Sequence, residues 1–181
     1  MKEASSQETP YGRYITSDGW FVLNLEEALA VRNDEKGGAL YPLESRESPF
    51  GHVGVHVRVL WPGDPNAMYH AENGQEGFLV LAGECTLVVE EEERPLRRWD
   101  YFHCPPDTSH VIAGAGDGPC AILLIGMRPE EETVRYPVSE IAARYGASTV
   151  EETHEPDEAY AGWPGEYLPV RLPWPFADQP G

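Results

Sequence analysis

The chain has 181 residues, 41% hydrophobic and 10% aromatic, enough for one ordinary domain with a packed core and too apolar for wholesale disorder. Its formal net charge of −18 and pI near 4.5 repel phosphate backbones and anionic lipid, which argues against nucleic acid and membrane surfaces as partners. The three cysteines, Cys85, Cys104 and Cys120, form no CxxC pair and cannot all pair within one chain, so they read as reduced thiols of a cytoplasmic protein.

The start, MKEASSQETPYGRY, lacks the apolar region of a signal peptide, and the longest apolar stretch, near Cys120–Met127, is too short to span a bilayer. Eighteen Gly and seventeen Pro favour short strands joined by tight turns over long helices. Residues 1–50 hold one predicted helix, 25–32, with Asn24 as its cap and Glu26 and Glu27 in its first turn. No linker frees this zone, so it is expected to pack on the core or on a partner subunit.

Residues 51–128 carry the strand signals. His56, Arg58 and Leu60 alternate with Val55, Val57, Val59 and Trp61. Residues 78–81 form an apolar run, and Ala82, Gly83 and Glu84 predict a tight hairpin to 86–89. The acidic runs 90–93 and 130–132 read as solvated turns. Residues 101–104 predict a strand stopped by Pro105 and Pro106, and 111–113 is expected to pair with 121–125 around 114–118. The runs 78–81 and 121–125 are apolar at consecutive positions, which requires cover on both faces, from a second sheet, the N-terminal zone or a partner subunit. A homodimer is the expectation. Residues 129–181 hold a short helix capped by Ser139 and closed by Gly146, and a second starting at Pro156. The tail, with Trp163, Tyr167, Trp174 and Phe176, is too aromatic to be a solvated end and is expected to dock.

The chemistry concentrates in His70-Ala71-Glu72-Asn73-Gly74-Gln75-Glu76. On a strand His70 and Glu72 share a face, and a hairpin can bring Glu76 beside them. His110 follows the Pro105 and Pro106 turn. Two imidazoles and two carboxylates converging inside a β-structure make a site for one divalent cation such as Fe, Mn, Ni or Zn. The carboxylates supply the negative charge that a buried cation needs.

These residues resemble the two motifs of the cupin superfamily. The first runs Gly, five residues, His-x-His, three or four residues, Glu, six residues, Gly. Here Gly63 stands one residue early, His70-Ala71-Glu72 replaces the second His by Glu, and Glu76 and Gly83 follow at the family spacing. The second motif has a Gly, a Pro, a Gly, a His and an Asn. Here Trp99, Pro105, Asp107, His110 and Gly114 stand at those places. The likeness covers about 55–127. It implies an all-β, double-stranded β-helix or jelly-roll barrel with a few short peripheral helices. It also implies a metal held by His70, Glu76 and His110. Glu72 could be a fourth ligand, a base beside the metal, or the mark of a degenerate site.

The fold hosts unrelated activities. The first expectation is a non-haem metal-dependent dioxygenase acting on a small molecule. A metal-dependent isomerase, epimerase or lyase on a sugar or hydroxy acid, with Glu72 as base, is the alternative. A non-enzymatic ligand- or metal-binding module is the third. Arg58, Phe78, Tyr101 and Ile112 are the candidate substrate-pocket residues. Arg58 could clamp a substrate carboxylate if its strand face points inward. Of the alternating pairs Tyr101/His103 and Phe102/Cys104, one faces the interior, and the sequence leaves open which.

Overall fold

The computed structural model describes residues 2–45 and 49–176. In chain order the strands are β1 (Ser6–Thr9), β2 (Gly12–Ile15), β3 (Ala30–Arg32), β4 (Ala39–Pro42), β5 (Val53–Leu60), β6 (Ala71–Glu72), β7 (Glu76–Ala82), β8 (Glu84–Val89), β9 (Glu92–Arg97), β10 (Tyr101–Cys104), β11 (His110–Ala115), β12 (Cys120–Met127) and β13 (Val134–Arg135). Two one-turn helices follow, α1 (Glu140–Ala143) and α2 (Pro156–Ala159), then β14 (Leu168–Val170). No helix among the described residues is long and apolar enough to cross a membrane.

The strands form a two-sheet jelly roll. The large sheet runs β10-β7-β12-β5-β4-β3-β14 and the facing sheet β11-β8-β9, all pairs antiparallel. Bridges from Pro62, Pro65 and His70 to β11, and the β6–β13 pair, extend the smaller sheet on its far side. Leu60, Phe78, Val80, Cys85, Leu87, Cys104, Ile112, Cys120, Ile122 and Leu124 fill the space between the sheets.

The outer face of the large sheet is covered by the chain itself. Val57, Val59 and Ala121 pack under Leu23, Leu25 and Ala28 from the N-terminal zone and under Leu172, Trp174 and Phe176 from the tail. The Tyr41 hydroxyl donates to the Leu172 carbonyl at 2.9 Å, which anchors that tail. This accounts for the consecutive apolar residues of β7 and β12. On the back of the smaller sheet, α1 packs through Ala142 and Ile141 against Val88 and Val111. Ser139 Oγ accepts from the Ala142 amide at 3.0 Å, and Gly146 turns the chain away at a φ of 64°. Pro156 opens α2, as its fixed φ allows.

Three local expectations are corrected. The helix over 25–32 is a single turn. Asn24 does accept from the Glu26 amide, but Ala30–Arg32 then runs as β3, paired with β14 along its length and with β4 at Val31 and Arg32. Sheet pairing outweighs weak helix propensity at the β-branched Val31. Residues 82–84 form no hairpin, because β7 and β8 belong to different sheets and Gly83 is the corner between them. Likewise β11 and β12 are not partners: β11 pairs with β8, and β12 with β5 and β7. Short runs at regular spacing signal strands but not which sheet takes each one.

The acidic run splits between turn and strand. Glu90 and Glu91 make the two-residue turn from β8 to β9 with φ values of 47° and 61°, the left-handed geometry of a type I′ hairpin.

The Gly83 corner is sterically closed. At its φ of 71°, an added Cβ would lie 2.4 Å from the Pro119 carbonyl oxygen and 2.8 Å from the Cys120 Cα, both backbone atoms. Gly83→Ala is therefore expected to cost about 2 kcal/mol or more of folding free energy, read as a lower urea midpoint with unchanged slope.

Candidate metal centre

The site begins with a backbone bond. His70 donates its amide to the His110 carbonyl at 3.1 Å, and His110 returns the bond to the His70 carbonyl at 2.8 Å. Directly opposed residues of an antiparallel bridge project to the same face, so the rings meet with centroids 4.9 Å apart. β7 delivers Glu76 from the large sheet, and its Oε2 stands 3.3 Å from His110 Nε2. Donor atoms of His70, Glu76 and His110 all lie within 4.8 Å of one another.

Backbone carbonyls set both imidazoles. His70 Nδ1 is 2.7 Å from the Met68 carbonyl oxygen, and His110 Nδ1 is 3.0 Å from that of Thr108. A carbonyl only accepts, so each Nδ1 carries the hydrogen and each Nε2 turns a lone pair toward the site. His110 Nε2 is buried with no hydrogen-bond partner among the described residues. An orphaned acceptor beside a carboxylate is what a bound cation would satisfy, so the donor set fits a metal ion.

The electrostatics agree. Burial, with a smaller contribution from His70, holds His110 down at about 3 against the weak lift of Thr108, so the ring is neutral and able to ligate. Burial first, and the Glu72 charge second, push Glu76 up to about 8. A cation here would reverse the second effect and hold the carboxylate ionised. Cys104 Sγ lies 3.4 Å from His110 Nδ1, and its thiol is pushed up to about 12, chiefly by burial. It is a packed neutral thiol that helps seat the ring.

Glu72 stands at the edge of this set. Its Oε1 is 3.5 Å from His70 Nε2, but its side chain is 41% exposed against 15% for Glu76, and it is not one of the three mutually close donors.

Of the expected pocket residues, Phe78 packs edge-on against the His110 ring at 5.1 Å, and Ile112 is fully buried in the inter-sheet core. Arg58 lies on the inner face of β5, opposite Ile122 of β12, in line with the buried Leu60. Tyr101 is a correction. Phe102 and Cys104 are the inward pair, while Tyr101 is 60% exposed on the outer face, where its ring lies over Gly77. His103 is also exposed.

Sequence reasoning missed Tyr136 and Tyr160. Tyr136 is buried 6.0 Å from the His70 ring, Tyr160 stacks edge-on to it at 5.9 Å, and the Tyr160 hydroxyl accepts from the Met68 amide at 3.1 Å. Their only signal was the aromatic richness of the C-terminal zone.

Residues 56–126 match the sequence profile of the cupin domain. Over these residues the jelly roll is similar to the cupin domain. A cupin-superfamily sugar phosphate isomerase from Silicibacter pomeroyi is 22% identical over 62% of this chain and 79% of its own, with a TM-score of 0.55. A predicted oxalate decarboxylase from Thermotoga maritima is 19% identical over 60% of this chain and all of its own, with a TM-score of 0.54. A candidate sugar phosphate isomerase from Acidithiobacillus ferrooxidans reaches 31% identity over 48% of this chain, with a TM-score of 0.46. The match spans 56% of that protein's length. No curated protein matches the chain. The cupin profile ends before Tyr136 and Tyr160, so the wall they form is added by the C-terminal zone.

His56 shares the inner face of β5 with Arg58. Burial first, then the charges of Arg58 and Arg128, hold its pKa down at about 4 against the opposing pull of Glu44. The unfolded chain therefore binds a proton at His56 below about pH 6.5 that the folded chain refuses. The stability this neutral ring allows is fully present above pH 6.5 and is lost as pH falls toward 4. His56→Gln is expected to flatten the stability profile between pH 6.5 and 4 by up to about 1.4 kcal/mol per pH unit, measured by urea titration at each pH.

Proposed function

We propose that this cupin is a metal-dependent enzyme for a small organic molecule, with His70, Glu76 and His110 holding one divalent ion and Glu72 moving a proton. The observation that carries the reading is the buried, unpartnered Nε2 of His110, set beside the Glu76 carboxylate and the His70 ring. A bound Fe, Mn, Ni or Zn ion would polarise a carbonyl or hydroxyl oxygen. Glu72 sits outside the three-donor set and on the open side of the site, so its carboxylate is free to take a proton from a neighbouring carbon and return it. Tyr136 closes the site beside His70, and burial, then Tyr160 and Glu72, raise its hydroxyl's pKa, so it remains a donor. This supports an isomerase, epimerase or lyase on a sugar or hydroxy acid.

Oxygen chemistry is the second reading, favoured by the donor set itself. Two imidazoles and one carboxylate with open positions are the ligands of non-haem iron oxygenases. The three free, buried thiols suit a reducing cytoplasm. Exposed Ile125 and Met127, near Tyr101 on the outer face of the large sheet, are the surface for the homodimer.

Elemental analysis of protein purified without added metal is expected to find about one divalent ion per chain, lost in His110→Ala. Glu72→Gln is expected to keep the ion and slow deuterium exchange into hydroxy acid and sugar substrates about a hundredfold or more. Substrate-dependent oxygen uptake that survives Glu72→Gln would establish the oxygenase reading instead. Wild-type protein that takes up none of Fe, Mn, Ni or Zn would overturn both.

A further inference from the structure

Arg58 is a cation with an unused face. Its Nη1 donates to the Gly37 carbonyl at 3.0 Å and to the Tyr167 hydroxyl at 2.8 Å, and the guanidinium lies 5.5 Å from the centre of the Tyr167 ring. Its Nε is buried without a hydrogen-bond partner, its Nη2 makes no hydrogen bond, and no ion pair engages it among the described residues. Nε and Nη2 form the side-on edge of a guanidinium, the fork that matches the two oxygens of one carboxylate. In a chain of net charge −18, a half-buried Arg without a carboxylate partner needs a reason.

The sheet register ties this edge to the metal residues. Phe78, Leu124 and His56 form one cross-strand row on the inner face, with Ile122 and Arg58 beside it. Phe78 touches the His110 ring, so the strand of Arg58 lies two strand spacings, about 10 Å, from that of Phe78. Along the opposite wall, Tyr160 feels the Arg58 charge, bonds the Met68 amide and stacks on Tyr136, which lies against His70.

We propose that the Nε–Nη2 edge of Arg58, beside Tyr160, seats a carboxylate, and that the substrate turned over at the metal is a small organic acid. The second half rests on the metal-enzyme reading; the anion seat does not. A carboxylate fits better than a phosphate because the other cations near this end are engaged. Arg128 gives both terminal nitrogens to Glu44, and Lys36 donates to the Gly146 carbonyl over the Trp163 ring. One guanidinium edge neutralises a monoanion, not a dianion. The seat is assembled from the cupin strand β5 and from Tyr160 and Tyr167 beyond it, which makes it a feature of this chain's C-terminal zone as much as of the jelly roll.

The test is ligand-observed saturation-transfer NMR on the full chain, chelator-treated and metal-loaded. The probes are hydroxy and keto acids of two to six carbons, each beside its primary amide, with inorganic phosphate as a competitor. The acids are expected to bind about tenfold or more tightly than the amides, before and after chelation. Arg58→Gln is expected to abolish that preference while keeping the wild-type metal content. Arg58→Lys, which keeps the charge and loses the fork, is expected to reduce it. Equal binding of acids and amides by wild type, an undiminished preference in either variant, or displacement of acids by phosphate at lower concentration overturns the proposal. If Arg58→Gln does not fold, the Arg58→Lys comparison decides. A wild type that prefers acids but loads no metal defeats the metal reading alone; one that loads metal and ignores the carboxylate defeats this seat alone.

Discussion

The reciprocal backbone pair between His70 and His110 is the constraint on which the site depends. It brings together two imidazoles forty residues apart in sequence and leaves their orientation to the carbonyls of Met68 and Thr108. Everything nearby serves that register. Asp107, at a φ of 64°, turns the chain ahead of His110 and donates its amide to the Glu72 carbonyl at 2.7 Å. Asn66 accepts from the Ile112 amide at 2.8 Å inside the core, which fixes β11 two residues beyond His110. A shift of one residue in this pairing would turn one ring to the opposite face from the other and take the site apart.

Most of the jelly roll was legible because its strands carry period-two patterns and turn residues. The patterns at 55–61, 101–104 and 121–125 lie on the strands observed at 53–60, 101–104 and 120–127. Partner choice was not legible, since Gly83 reads the same as a hairpin turn or as a corner between sheets. The metal-type residues were legible because motif spacing encodes which strand ends meet. The departures from that motif have structural reasons. Trp99 and Asp107 both take left-handed backbone where the family pattern has Gly, at φ values of 75° and 64°. Gly114, in place of the family's Asn, leaves room for the Trp61 carbonyl, which a Cβ would approach to 2.2 Å. The Tyr136 and Tyr160 wall was illegible, because it depends on how a segment outside the motifs folds back.

That segment serves several surfaces at once. It places α1 behind the smaller sheet, Tyr136 and Tyr160 beside the histidines, β14 on the end of the large sheet, and Trp174 and Phe176 over its outer face. Local contacts from one stretch of chain therefore support both the core and the site wall. Burial of this order explains why His110, Glu76 and His56 titrate far from their usual ranges in a protein whose surface is dominated by acid.

The Glu90 and Glu91 turn joins surface charge to site geometry. Left-handed backbone is unfavourable for a residue with a Cβ, by about 1 to 2 kcal/mol each. The turn is held by two bonds to one neighbour: Glu90 donates its amide to the Ser109 carbonyl at 3.0 Å, and its carboxylate accepts from the Ser109 amide at 2.6 Å. Ser109 is the residue before His110. An acidic hairpin tip that would pass for solubilising decoration is thus a two-pronged clasp on the strand carrying the most deeply buried imidazole, and a Gly at Glu90 would ease the bend while releasing one prong.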